Sequence, residues 1–373
     1  MKKKILTLLT VMMLGLLVWG CKKKEESAPE PEPAVTETPT PTETPTPAPT
    51  PETIVEAEVV EEEQIPDGMV KSYLSGDYVS PEIGRRRPVA VMINNVKAAL
   101  PSAGISKADV FYEAPVEGAL TRVMAIFEDY DGLEKIGSVR SCRDYFLDYA
   151  MGFDALYVHF GQAAYALPYL DLPQINNISG LAYYGDQVFY RTNDRPSPHN
   201  AYTSAELIQK AIDICGYSQE YPEDYQQQFT FAWVGEEVNL DKGSDATLIR
   251  PGYMFNAPWF EYNPQGGLYY RYQYEEPHID QTTGTQIAVK NIIIQYTGWE
   301  KYDENGYLNL YAGEGGPCKY ITNGKVIDGT WERLYEWGPE KYYDSEGNEI
   351  ILNTGKTWIC VVQDSYADDV QIS

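Results

Sequence analysis

Histidine is scarce in this chain and paired cysteines are missing. Three histidines, His159, His199 and His278, occur in 373 residues, and no HxH or HExxH spacing joins any two of them. Motif-borne metal sites are thereby removed, and neither a metal nor another cofactor is expected. Five cysteines include no CxxC pair, so neither a zinc knuckle nor a thioredoxin-type site is indicated. A Walker A loop, a GxSxG elbow, an SxxK motif and a dinucleotide GxGxxG are all absent, which argues against nucleotide chemistry and serine hydrolysis on familiar scaffolds. Positive charge is short as well. Lys and Arg number 29 against 55 Asp and Glu, a formal net charge of −26, and this disfavours nucleic acid as a partner.

The apolar run from Ile5 to Trp19 is too short for a comfortable membrane span, but it comes after Lys2, Lys3 and Lys4 as a secretory signal does. It ends in Leu17-Val18-Trp19-Gly20-Cys21, which resembles the bacterial lipobox. By that resemblance residues 1–20 are a signal peptide and Cys21 is the lipidated first residue of the mature protein. The chain is then held at the cell membrane on its extracytoplasmic face. A plain signal peptide cut nearby is the alternative. Residues 21–64 then repeat Pro-Thr and Glu with almost no aromatic side chain. Such a segment cannot bury enough apolar surface to offset its ordering entropy, so it reads as an acidic tether.

The rest of the chain is long enough for two domains. In residues 80–217, strands are expected at Val89–Ile93, at Val110 onward with Glu113 and Glu117 at its end, at Thr121–Phe127 and at Ala155–Phe160. Between the last two, Ser141 stands three residues before Asp144, a capping-box spacing, and a helix is expected over Cys142–Met151 with Gly152 stopping it. Asn176–Gln187 reads as loop, and a helix at Ala205–Cys215 starts from Thr203 or Ser204. Strands alternating with helices predict an α/β (α+β) domain with a mixed sheet. Residues 229–373 differ in kind. Gly266-Gly267, Asn305-Gly306 and Asn323-Gly324 lie between β-prone runs, so a smaller, mainly antiparallel β domain is expected.

Several phrases together resemble the YerB-like family of Gram-positive lipoproteins, built on a domain of unknown function. They are Arg87-Pro88-Val89-Ala90-Val91-Met92-Ile93-Asn94-Asn95, Ala108-Asp109-Val110 with Tyr112-Glu113, Glu117-Gly118 with Thr121-Arg122, Ile136-Gly137-Ser138-Val139-Arg140-Ser141 with Arg143, His159 with Gly161, and Pro198-His199-Asn200. The second half matches through Lys290-Asn291-Ile292, Asn323-Gly324-Lys325 and Gly355-Lys356-Thr357-Trp358. The resemblance implies a two-domain, membrane-anchored, extracytoplasmic protein and implies no activity. At Cys142 the family pattern generally carries a small residue such as Ala.

Candidate functional residues concentrate in the first half. Arg122, Arg140, Arg143, Arg191 and Arg195 join His159 and His199 there, several at element ends, and open sheets bind ligands beyond the carboxyl ends of their strands. Asn95, Glu113, Glu117, Ser141 and Asn200 complete the expected ligand-binding set. An anionic or saccharide component of the cell envelope, such as a wall polymer, or an envelope protein would fit. The competing reading pairs these arginines with Glu113, Glu117, Asp144 and Asp148 as structural ion pairs. Chemistry is a further alternative, in which Glu117, His159, His199 or Cys142 serves an envelope hydrolase or transferase. A buried structural role for Cys142 competes with this. Tyr270, Tyr272 and Tyr274, with Trp259 or Trp299, make either a sugar-stacking platform or cross-strand packing. Cys318 and Cys360 are either a disulfide or buried free thiols.

Overall fold

The computed structural model describes residues 63–373. The signal peptide expected over 1–20, Cys21 and all but the last two residues of the tether lie outside them. No helix among the described residues is long and apolar enough to cross a membrane.

The first half supplies β1 (Val89–Asn94), β2 (Val110–Pro115) and β3 (Thr121–Phe127), each buried along its whole length. Unbroken apolar runs of this kind fit strands covered on both faces. Helix α1 (Asp144–Met151), β4 (Leu156–His159), β5 (Asn177–Ser179) and α2 (Ala205–Cys215) come next. Ser204 caps α2 by accepting the Leu207 N–H at 3.2 Å, and Gly216 ends it at φ +67°. Helix α1 starts two residues later than its spacing predicts, and the Ser141 capping box is not made. Ser141 and Cys142 are instead extended, because Cys142 N–H donates to Gly161 O at 2.9 Å and Arg140 N–H donates to Met92 O at 2.8 Å. The stretch Asn176–Gln187, expected as loop, holds β5 and a short helix at Gly185–Val188. Both are too short to show a period.

The second half supplies β6 (Ser244–Asp245), β7 (Leu248–Arg250), β8 (Trp259–Asn263), β9 (Leu268–Gln273), β10 (Glu276–Pro277), β11 (Asn291–Thr297), β12 (Gly316–Thr322), β13 (Lys325–Arg333), β14 (Glu340–Asp344) and β15 (Thr357–Gln363). Its pairings are mainly antiparallel. Asn323 and Gly324, at φ +48° and +75°, turn β12 into β13. A Cβ on Gly324 would stand 2.9 Å from the Tyr262 ring, so the turn needs glycine twice over.

One eleven-stranded sheet runs through both halves in the order β6-β13-β12-β11-β15-β2-β3-β1-β4-β5, with β14 beside β13. Its centre is β15, parallel to β11 on one side and to β2 on the other, with Trp358 opposite Phe111 and Ile359 opposite Tyr112. Strands β7 to β10 belong to a separate sheet. On one face of the large sheet, Val91, Phe111, Val123 and Trp358 pack with Ile208 of α2 and with Phe260 and Tyr269 of the smaller sheet. On the other, Met92, Tyr112, Met124 and Ile359 pack with Phe146 and Tyr149 of α1. Each such large side chain contributes roughly 1.5–3 kcal/mol on burial.

Cys318 on β12 and Cys360 on β15 lie in strands separated by β11, and both are buried free thiols.

A candidate anion site at the sheet edge

Strand parity sorts the residues expected at the site. Successive side chains leave opposite faces of a strand, and Arg122 stands opposite Ala114 on one side and Asn94 on the other. Arg122 and Asn94 therefore share the face that carries α1. Asn95, Glu113 and Thr121 share the opposite face. The candidate set is thus divided by the sheet itself.

On the α1 side, Arg122 is only 6% exposed, and its Nη1 donates to Ser141 O at 2.7 Å. No carboxylate pairs with it among the described residues. Burial, followed by repulsion from Arg143 and Arg140, holds its pKa down to about 9, so its charge is poorly compensated. Arg143 is neutralised, because its Nε and Nη2 meet the two Glu117 oxygens at 2.7 and 2.6 Å in a fork. Arg140 reaches only Pro198 O, at 3.2 Å, and its Nε is buried without a partner. Arg191 donates to Asn200 Oδ1 at 2.9 Å and lies 4.6 Å over the Phe160 ring. Arg195 is braced by Asp194 at 3.4 Å and by the carbonyls of Ala99 and Pro101. The His199 Nδ1 accepts from the Asn94 amide at 3.0 Å, and burial, then Arg140 and Arg195, lower its pKa. Arg122, Arg140 and Arg191 thus have no carboxylate partner among the described residues.

The backbone that presents this cluster is tightly specified. The segment around Arg140 runs beside β1 and along the end of β4, where Phe160 N–H donates to Arg140 O at 3.0 Å. Gly161 sits at φ +88°, and a Cβ there would stand 2.8 Å from Ser141 Oγ. Only glycine lets the two segments approach so closely.

Several candidates do not face this cluster. His159 is fully buried, with Nδ1 2.7 Å from Gly161 O and Nε2 3.2 Å from Asn177 Oδ1, so it braces the end of β4 and is not placed as a base. Cys142 is sealed, and burial pushes its thiol up to about 12, opposite to the shift a nucleophile needs. Glu113 is not at a strand end. It lies inside β2, where Arg271 at 2.8 Å, Asn256 at 2.8 Å, Thr121 at 2.8 Å and Asn95 at 2.9 Å enclose it. Asn95 is buried in that same network. Asn200 is a loop brace, accepting from Arg191 and donating to Thr192 O at 2.7 Å. Cross-strand packing is what Trp259 and Tyr272 show, stacked across β8 and β9 at 4.9 Å, while Trp299 lies elsewhere beside Tyr366.

Trp299 belongs to a cleft that spacing did not reveal. It has a volume of about 300 Å³ and is lined by Gly118 to Thr121, Tyr253, Trp299, Lys301, Gln363 and Tyr366. Gly118 to Leu120, Trp299, Lys301 and Tyr366 lie past the carboxyl ends of β2, β11 and β15, the same edge of the sheet that carries Arg122. Arg271 and Asn256, which close the opposite face, went unmarked in the sequence, because their partner Glu113 lies more than a hundred residues away, and His278 joins them through Arg271 Nη1 at 2.8 Å.

A mixed sheet completed by a strand from the second half, with a basic edge on its first half, defines the class. The chain belongs to the family described as "Protein of unknown function (DUF3048)", whose N-terminal domain matches residues 74–218 and whose C-terminal domain matches residues 249–359. It is 30% identical over 311 residues to the protein of Bacillus subtilis (strain 168) named "Putative lipoprotein YerB", covering 82% of this chain and 90% of that one. The crystal structure of the YerB protein from Bacillus subtilis matches with a TM-score of 0.69, over 82% of this chain and 99% of that chain.

Proposed function

We propose that this chain is a membrane-anchored lipoprotein, held by Cys21 on the extracytoplasmic face, whose folded unit binds an anionic component of the cell envelope. The anchor rests on the lipobox-like Leu17 to Cys21 and on the name of the Bacillus subtilis relative. The binding reading rests on one observation above all. Arg122 is nearly buried, unpaired with any carboxylate among the described residues, and repelled by two neighbouring guanidinium groups. A protein of net charge −26 keeps this cation without neutralising it. An incoming phosphate or carboxylate would supply the missing charge and the oxygen acceptors that Arg140 Nε lacks. The cleft beside Trp299 and Tyr366 gives the sugar ring of an anionic polymer an aromatic surface along the same edge.

Replacing Arg122 with Met tests this directly, because a binding residue and a structural one respond in opposite ways. Removing an uncompensated buried charge should leave the protein at least as stable as wild type without ligand. The rise in Tm that inorganic phosphate gives wild type at constant ionic strength should vanish, together with retention on purified cell wall. A large loss of stability in Arg122→Met, with phosphate stabilisation intact, would show that the arginine serves the fold alone. Turnover of purified wall that depends on Glu117 or His199 would replace binding with hydrolysis.

A further inference from the structure

We propose a second, separate binding site at the seam between the two halves, for a small molecule that presents a carboxyl or carboxamide group. A cavity of about 370 Å³ lies there, between Lys97, Leu100 and Pro101 of the first half and Gln273, Tyr274, Glu276, Pro277, His278 and Ile279 of the second. Cavities at such junctions are favoured places for small ligands, and this one is at the lower end of their size range.

Two of the residues that line it carry hydrogen-bond donors with nothing to donate to. His278 and Gln273 are each 2% exposed, and the Nε2 atom of each is buried without a partner. The His278 proton can be placed by its neighbour. Arg271 Nη1 stands 2.8 Å from His278 Nδ1, and a guanidinium only donates, so Nδ1 accepts and the ring proton sits on Nε2. Burial, then Arg271, keep the ring neutral. On Gln273, Oε1 accepts from Asn256 Nδ2 at 3.2 Å, which fixes the amide and turns its NH2 to the unpartnered position. Two neutral N–H donors within one cavity lining suit the oxygen of a planar acyl group. The positive charge of Arg271 is already met by Glu113, so the inner wall itself asks for no net charge.

The rest of the cavity fits a small organic molecule. Leu100, Pro101, Pro277 and Ile279 give it apolar walls, while exposed Lys97 and Glu276 carry opposite charges among its lining. Tyr274 and Glu275 turn β9 into β10 at φ +53° and +66°, a conformation that Asn-Gly adopts far more readily. The strained turn brings the Tyr274 hydroxyl to Asn95 O at 3.1 Å and so ties the cavity wall to the first half.

The full chain, labelled with 15N at His and Gln, should be titrated with acetate and, separately, with acetamide at constant ionic strength. The His278 Nε2–H and Gln273 NH2 resonances should both shift saturably. Acetate alone should lose affinity, by about threefold, in Lys97→Met, the scale of one exposed ion pair, while acetamide is unaffected. Gln273→Met should remove the saturable shift at His278. Failure of both resonances to move with either probe in large excess would overturn the proposal, and so would an undiminished His278 shift in Gln273→Met. Because Arg122 takes no part, the result stands or falls apart from phosphate binding at the sheet edge.

Discussion

Glu113 in the first half and Arg271 in the second form an ion pair, Oε2 to Nη2 at 2.8 Å, with neither side chain exposed at all. Asn95, Thr121 and Asn256 all donate to the other oxygen of the carboxylate, Oε1. Leaving one buried charge without its partner costs about 3–5 kcal/mol. Glu113→Gln and Arg271→Met should each destabilise the protein by that amount in urea unfolding. The double variant Glu113→Gln/Arg271→Met should recover much of the loss, which a double-mutant cycle reads out.

The same seam bears on whether either half folds alone. Strand β2 pairs with β3 on one side and with β15 on the other, so residues 80–217 by themselves expose a long apolar edge. Expressed separately, 80–217 and 229–373 should lack a cooperative unfolding transition. The intact chain should unfold in one step seen alike by fluorescence and circular dichroism.

Glu128 gives a pH signature. Burial pushes its carboxyl up to about 7, and its Oε1 lacks a partner. A folded-state value above the unfolded one means that the native protein holds the proton more tightly. The contribution is therefore fully present below about pH 4.5 and lost as pH rises through 7. Glu128→Gln should stabilise the protein at pH 8 by at most on the order of 3 kcal/mol, seen as a higher Tm, and leave Tm nearly unchanged at pH 5.

Thiol labelling checks the sealed cysteines. Cys142, Cys318 and Cys360 are buried, and burial raises the pKa of each. Cys215 alone of the four is half-buried. In the native protein a thiol reagent should modify Cys215 alone among these, and denaturant should release the other three.

Much of this architecture was legible in the residues. Val89–Ile93, Thr121–Phe127 and Ala205–Cys215 announce themselves because an unbroken apolar run and a capped amphipathic helix are local signals. The crowd of arginines at element ends was equally visible. The partition of the site was not, although parity carries it: two neighbouring residues, Thr121 and Arg122, look to opposite sides of the sheet. Two further facts were beyond any local pattern. Arg271 answers Glu113 across 158 positions, and β15 inserts beside β2 from the far end of the chain. His159 was expected at a strand terminus and is there, but Gly161 and Asn177 close over it.

The central strand of the large sheet comes from Thr357–Gln363, within the last seventeen residues. This strand is synthesised after both of the strands it joins, so β2 and β11 wait with a gap one strand wide between them. A premature stop codon between Thr297 and Thr357 leaves two sticky apolar rims, marking the incomplete product for aggregation or proteolysis.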